Sequence, residues 1–200
     1  MIALIDYGAG NLTSVRKGFA AVGAQLYTPA TPRDLAKARG IVVPGVGNFA
    51  ATSALEGPWT EAIRGVVDHG VPLFGICLGM QWLFEGSDEA PDVGGLGAIP
   101  GRCSRLPQRE GLKVPHVGWN SLDLPHSSRL LNGVGDHTQV YFTHSYAAPV
   151  TAAAAATCEH GAVFAAAIES GNLFGVQFHP EKSSDAGLRI LQNFVAASRG

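Results

Sequence analysis

The sequence predicts an α/β domain with a mostly parallel central sheet, helices on both faces and a more antiparallel C-terminal half. Three observations lead there. Over the first hundred residues, short apolar runs alternate with stretches of helical period, the pattern of strand–helix–strand units. Between Arg102 and Gln177 the helical period fades and short strands alternate with turns. No linker and no repeat divides the 200 residues, a length that suits one domain, 1–200, with a substantial core.

Each element follows in turn. Ile2 to Ile5 reads as a strand, and Asp6-Tyr7-Gly8-Ala9-Gly10 as a turn. Asn11 is an N-cap candidate. Leu12, Val15, Phe19 and Val22 then recur at helical spacing until Gly23 stops the helix. Ala24 to Tyr27 is a second strand, Thr31-Pro32 opens a short helix, and Ile41 to Val43 is a third strand. A helix around Trp59 to Val67 precedes a strand from Val71 to Ile76, and Leu78 to Phe84 continues as a helix. The stretch Glu85 to Gly101, rich in Gly, Pro and Asp, is a loop. Gln139 to Ala147, Ala162 to Ile168 and Asn172 to Gln177 are the best later strands, and the alanine-rich 152–156 reads as solvent-tolerant strand or loop. Ser183 or Ser184 caps a last helix that buries Leu188, Leu191, Phe194 and Val195.

Composition narrows the partners. A net charge of −2 gives no case for nucleic acid or a membrane surface. The N-terminus meets Asp6 at once and reads as a strand rather than a signal peptide. No apolar stretch is long enough to cross a bilayer. Cys77, Cys103 and Cys158 are odd in number and far apart, with no CxxC. Disulfides and a metal site are therefore not expected, and a reducing cytoplasm fits.

The chemistry centres on Cys77. It lies where a buried strand turns sharply into a helix, with Gly75 and Gly79 on either side. That is the layout of a nucleophile elbow, with sulfur in place of a hydroxyl. Orphan amides and the helix dipole favour an anion there. The alternative is a buried structural cysteine. A cysteine nucleophile needs a base, and the base an orienting group. His179, at the end of another apolar strand, and Glu181, two residues on, offer both. Without further His or Cys at ligand spacing, a metal reading of this pair fails. His116 and His144 could line a site, whereas His69, His126, His137 and His160 read as solvated. The backbone N–H of Leu78 is one oxyanion donor, and Gly45-Val46-Gly47, at another strand end, could aim a second.

Three blocks, PGVGNF at 44–49, FGICLGMQ at 74–81 and FGVQFHPEKS at 174–183, together resemble the class I, triad-type glutamine amidotransferases. IDYGAGNLTSV at 5–15, PHVGWN at 115–120 and YFTHSYAA at 141–148 resemble one branch of that family, the one serving histidine biosynthesis. Ser145 stands where threonine is equally expected. The resemblance spans nearly the whole chain and implies a flavodoxin-like sheet. It implies glutamine hydrolysis through a thioester, with Cys77 as nucleophile, His179 as proton shuttle and Glu181 as orienter. It implies a glutamine pocket with Gln81, Ser145, Tyr146 and Gly47, beside the oxyanion donors read from Val46, Gly47 and Leu78. No cofactor is implied. The partner implied is a separate (βα)8-barrel synthase subunit that receives the ammonia, met through Asn11, Trp119 and Lys182. For Trp119, core packing is the alternative. A related glutaminase serving pyridoxal phosphate or anthranilate synthesis would not account for DYGAGN and Trp119-Asn120. A cysteine peptidase or a DJ-1-like hydrolase would leave Gln81 and the His179 block unexplained. A regulatory subunit with a dead site would not need Cys77, His179 and Glu181 intact.

Overall fold

Strands covered on both faces read as unbroken apolar runs, and the early strands of this chain have that form. In the computed structural model, which describes residues 1–199, β1 (Ile2–Leu4) leads into α1 (Leu12–Ala21), where the Asn11 side chain caps the helix by accepting the Ser14 N–H. β2 (Leu26–Tyr27) is followed by a 3-10 helix, Pro32–Lys37, whose entry is fixed by Thr31 donating its N–H to the Asp34 carboxylate. β3 (Gly40–Val43), a second 3-10 helix (Phe49–Leu55) and α2 (Pro58–Asp68) lead to β4 (Leu73–Ile76) and a single short helix, α3 (Leu78–Trp82). The later strands are β5 (Gly86–Ser87), β6 (Arg102–Arg105), β7 (His116–Ser121), β8 (Gln139–His144) and β9 (Tyr146–Ala147). β10 (Ala154–Glu159), β11 (Val163–Ser170) and β12 (Leu173–Val176) complete the set before a 3-10 turn, Pro180–Lys182, and α4 (Ser184–Ala197).

The central sheet has the order β10-β11-β12-β4-β3-β1-β2. Its β2, β1, β3, β4 and β12 run parallel, while β11 and β10 add antiparallel strands at one edge. This is the α/β architecture the alternation predicts. On one face α1 and α4 bury Val15, Phe19, Leu191 and Phe194 against the sheet, with the Phe74 and Phe194 rings stacked at 5.0 Å. On the other, Leu55, Ile63, Met80 and Trp82 cover Ile41, Val43 and Leu73. Two smaller units stand apart from the main sheet: the three-stranded β5-β6-β9 and the β7-β8 hairpin.

The register between β4 and β12 sets up everything that follows. Val176 pairs with Ile76, and the Cys77 N–H donates to the Val176 carbonyl at 2.8 Å. Two strands a hundred residues apart therefore end level, side by side at the carboxyl edge where parallel sheets carry their sites.

The structure corrects several local expectations. Ala154, Ala155 and Ala156 are buried, because β10 pairs with β11 and turns these small side chains into the core. Small residues fit where a neighbouring layer approaches closely, so low complexity here is not solvent tolerance. On α4 the buried set is Gly187, Ile190, Leu191, Phe194 and Val195, with Leu188 only half-buried. The Ser183 hydroxyl does not cap α4. The helix after Cys77 stops at Trp82, and the run 139–147 breaks at Ser145 into β8 and β9.

Candidate active site

The elbow is held by backbone contact. Cys77 has φ +52, in the left-handed region that non-glycine residues rarely occupy. The flanking glycines are needed for space. A Cβ on Gly75 would come within 2.5 Å of the Gly79 carbonyl oxygen, and one on Gly79 would be driven into the Val43 carbonyl. β4, α3 and β3 thus interlock at the turn, and the strained conformation at Cys77 is over-determined by its surroundings.

His179 and Glu181 come to the same edge from the chain after β12. His179 Nδ1 donates to Glu181 Oε1 at 2.8 Å, with both side chains almost wholly buried. This leaves Nε2 for the Cys77 side. Among the described residues, Nε2 and Glu181 Oε2 are buried without a partner, and a catalytic role is one of the few explanations for such groups. Burial alone would lower the His179 pKa, but the neighbouring Cys77 and Glu181 groups outweigh it and push it up to about 9. An imidazolium beside the sulfur is the arrangement these groups favour. Tyr7 closes the far side: burial, and then the Cys77 charge, raise its phenol well above the usual range.

The cavity beside Cys77 measures about 250 Å³, below the ~300–1,000 Å³ of drug-sized pockets. It suits an amino acid rather than a nucleotide or a peptide chain. Val46, Gly47, Leu78, Gln81, Ser145 and Tyr146, all singled out from the sequence, line it. Glu89 and His144 line it too. Glu89 is anchored by accepting the Phe49 N–H at 2.8 Å. Among the described residues it is the one acidic side chain in the lining of the cavity. Nothing in the composition of the loop 85–101 pointed to it. The Gly45-Val46-Gly47 loop is asymmetric. Gly45 has no room for a side chain, its Cβ position falling on the Tyr7 hydroxyl and within 2.7 Å of Leu78 Cβ, whereas Gly47 has φ +98 and open space around it. The freedom of the loop is therefore on the Gly47 side only.

A buried polar network backs the cavity. Gln81 donates from Nε2 to the Tyr146 carbonyl at 2.8 Å and to Gln177 Oε1 at 3.0 Å. Gln177, fully buried, donates from Nε2 to Cys77 Sγ at 3.6 Å. His144 Nδ1 donates to the same Tyr146 carbonyl at 3.0 Å, which leaves His144 Nε2 to accept from His116 Nδ1 at 3.1 Å. Burial lowers both imidazoles, His144 to about 3 and His116 to about 4, helped at His116 by the neighbouring His160. Both are neutral at pH 7. His160, expected in solvent, is half-buried with its ring stacked 4.0 Å from that of His116. The β7–β8 pairing brings these rings together, a long-range effect that local sequence does not carry. His69, His126 and His137 are exposed as expected.

Ser183 is the other residue whose role the sequence did not give. Its hydroxyl donates to the His179 carbonyl at 2.7 Å and accepts the Tyr141 N–H at 3.0 Å, while the His179 N–H donates to the Tyr141 carbonyl at 2.9 Å. These three bonds bracket His179 against β8. The Tyr141 ring lies between Trp119, edge-on at 6.1 Å, and the Lys182 ammonium at 5.7 Å. Trp119 is half exposed at 51%, so it does not pack in the core. Asn11 and Lys182 are exposed as well. The other two thiols do not line the cavity, although the Cys103 thiol donates to the Gln81 carbonyl at 3.9 Å; burial raises both, Cys158 to about 12 and Cys103 further.

A thiol, an imidazole and a carboxylate in series, beside an amino-acid-sized cavity with an acidic group and backbone donors, can perform acyl transfer through a covalent thioester. Comparison with known proteins agrees. Residues 3–197 match the family "Glutamine amidotransferase class-I". Imidazole glycerol phosphate synthase subunit HisH of Natronomonas pharaonis is 48% identical over 97% of this chain and 93% of its own length. The subunit of the same name from Methanothermobacter thermautotrophicus is 47% identical over the full length of both. Among solved structures, a glutamine amidotransferase superposes with a TM-score of 0.78 at 17% identity over all of both chains, and PurLQS from Thermotoga maritima with 0.76 at 17% identity over 98% of this chain and 97% of the other. At that identity the structures speak for the fold alone. No helix among the described residues is long and apolar enough to cross a membrane. The chain belongs to the class I glutamine amidotransferase family.

Proposed function

We propose that this chain, residues 1–200 acting as one domain, is the glutaminase subunit of an imidazole glycerol phosphate synthase. The observation that carries the proposal is Cys77 on the wall of a cavity sized for an amino acid, with the buried His179–Glu181 pair beside it. The relatives favour this branch over the glutaminases of pyridoxal phosphate or anthranilate synthesis.

Glutamine enters with its α-ammonium toward Glu89 and its side-chain amide toward Cys77. Gln81, Ser145 and Tyr146 form the walls of the pocket. The Cys77 sulfur attacks the amide carbon and a C–S bond forms. The oxygen takes the negative charge, facing the Leu78 N–H and the Val46-Gly47 peptide. His179 gives its Nε2 proton to the leaving nitrogen, the C–N bond breaks and ammonia departs. His179 then takes a proton from water, whose oxygen attacks the thioester. The C–S bond breaks, glutamate leaves, and the proton on His179 returns to or stays beside the freed Cys77 sulfur. Throughout, Glu181 holds the ring by Nδ1 and offsets the charge on the imidazolium.

Ammonia passes to a separate (βα)8-barrel subunit, which shields it from water and protonation until it meets a ribonucleotide. Asn11, Trp119 and Lys182 form part of the docking face, with Trp119 and Lys182 bearing on Tyr141 and so on the backbone of His179. The complex is cytoplasmic and needs no cofactor. In a test, Cys77→Ser abolishes glutamine-dependent synthesis by the complex and leaves synthesis from ammonium salts intact. Glutamine turnover by that variant near the unmodified rate would sink the proposal.

A further inference from the structure

We infer that Gln177 is a catalytic donor to the nucleophile, its side-chain amide held by Gln81 so that an N–H, never the oxygen, faces the Cys77 sulfur. The inference rests on Cys77 being the nucleophile.

The orientation follows from which groups can only accept. The Tyr146 carbonyl is acceptor-only, so the group Gln81 turns toward it is the NH₂. That same NH₂ reaches Gln177 at 3.0 Å, so the atom of Gln177 it meets is Oε1. The other end of the Gln177 amide is then Nε2, at 3.6 Å from Cys77 Sγ. The Tyr146 carbonyl is itself fixed by His144, which donates to it and is locked in one tautomer by His116. One backbone carbonyl thus sets the direction of the amide against the sulfur.

Packing does not explain a glutamine here. The side chain is fully buried at the end of β12, where an apolar residue would need no partners. A buried amide without partners costs roughly 1–3 kcal/mol; this amide has two, and both belong to the active-site wall. A hydrogen bond to an ionised acceptor is stronger than one to a neutral acceptor. A donor at this position is therefore worth more to the sulfur when the sulfur carries charge than when it does not. The β4–β12 register, which sets Val176 beside Ile76, is what delivers Gln177 to the sulfur.

The test is alkylation of Cys77 by iodoacetamide in the full chain, followed by mass spectrometry across pH, for the unmodified protein, Gln177→Met and Gln177→Glu. Buried Cys103 and Cys158 serve as internal controls for opening of the fold. Gln177→Met keeps the length and removes the donor. Gln177→Glu keeps an acceptor for Gln81 and presents an anion to the sulfur. The alkylation-versus-pH curve should move to the alkaline side by about one pH unit in Gln177→Met, the displacement of a lost charge-assisted hydrogen bond, and further in Gln177→Glu. If Gln177→Glu does not fold, Gln177→Met carries the test alone. A curve that coincides with the unmodified one, or moves to the acid side, with Cys103 and Cys158 still protected, would overturn the inference. Failure of the unmodified chain and its synthase partner to hydrolyse glutamine would instead count against the proposed function, and the alkylation result would stand apart from it.

Discussion

The two sides of the active site are built by different means. The nucleophile side is fixed by backbone: β3, β4 and α3 approach so closely at Gly75 and Gly79 that no side-chain atom fits between them. The base side is fixed by side chains: His179 is placed by Glu181 and Ser183, and the wall behind it by Gln81, His144 and His116. Backbone interlock is stiff and has no titrating parts. Side-chain brackets are adjustable, sense pH and reach the exposed Trp119 and Lys182 through Tyr141. Under the proposed roles, a fixed Cys77 and a His179 that can be tuned from outside would suit an enzyme whose product is wanted only when a partner is ready.

The sharpest way to break the comparison is to add a single methyl on the stiff side. Gly79→Ala drives a Cβ into the Val43 carbonyl, a backbone atom that cannot step aside. It should cost more than about 4 kcal/mol, the range reserved for a named structural fault. Gly65→Ala is the control, on an exposed turn of α2 with open space around it; it should stabilise by about 0.5–1 kcal/mol. Urea denaturation of both variants measures the difference. Equal stabilities would mean that the elbow yields, and the proposed contrast would be lost.

The next largest effect concerns the one flexible piece of the stiff side. Gly45 is pinned against Tyr7 and Leu78, while Gly47 is free at φ +98, so the Val46-Gly47 peptide can turn without disturbing Cys77. If only one orientation aims an N–H at the oxyanion, the resting chain lacks a donor worth about 10²–10³ in rate, roughly 3–4 kcal/mol. The isolated chain should then hydrolyse glutamine slowly, and the synthase subunit with its nucleotide bound should raise kcat by at least that factor. KM should change little, because Gln81 and Glu89 already line the cavity. Steady-state kinetics of the chain alone and in complex decide it; an isolated chain as fast as the liganded complex leaves the loop as an ordinary turn.

Much of the stiff side was legible in the sequence, because its determinants are local. An apolar run, a cysteine and two glycines at fixed offsets specify strand, turn and helix within a dozen residues. The adjustable side was legible only in part. His179 and Glu181 are neighbours in sequence, but Gln177 meets Cys77 only through the pairing of strands a hundred residues apart. Ser183 stands directly before a helix, where capping is the ordinary role of a serine. In the structure, the nearby His179 carbonyl and Tyr141 N–H engage its hydroxyl instead. Glu89 emerges from a loop whose composition says only that it is a loop. His160 and the alanines of β10 were misjudged for one reason: burial there depends on which strand lies alongside, and single-sequence periodicity does not report that.

The histidines of the adjustable side give that side opposite signs of pH dependence at its acid and alkaline ends. His116 and His144 are held below the ordinary histidine range, to about 4 and about 3. On unfolding they take up protons at any pH below about 6.5, so the unfolded state binds more protons and stability falls as pH drops from there toward 4. Each group contributes up to about 1.4 kcal/mol per pH unit, or about 2 kcal/mol by pH 5. His179, raised to about 9, works the other way: its contribution is fully present below about 6.5 and is lost as pH rises through 9. His116→Gln should therefore flatten the acid limb of stability by one group's worth and leave the alkaline limb alone. Urea titrations from pH 4.5 to 9.5 test both limbs, and an unchanged acid slope would mean that His116 is not held neutral by its burial.

The smallest effect, and the finest probe of the bracket, is Ser183→Ala. The hydroxyl serves two backbone groups, the His179 carbonyl and the Tyr141 N–H, and touches neither the cavity nor the sulfur. Removing it should cost about 1–1.5 kcal/mol of stability, the net value of a hydrogen bond with partial relaxation of the two orphaned groups. The remaining His179 N–H to Tyr141 carbonyl bond still ties the loop to β8, so the ring should be loosened rather than lost. A base misplaced by a fraction of an ångström loses effective proton transfer before it loses binding. kcat should therefore fall about tenfold with KM unchanged, and the response to the partner should weaken, because Tyr141 would no longer hold both ends of the His179 backbone. Glutaminase kinetics with and without the synthase subunit separate the outcomes. A fall in stability with kcat intact would make Ser183 a packing residue. A rise in KM would place its influence on the pocket instead of on His179, and in either case the base side would be less dependent on its bracket than the geometry implies.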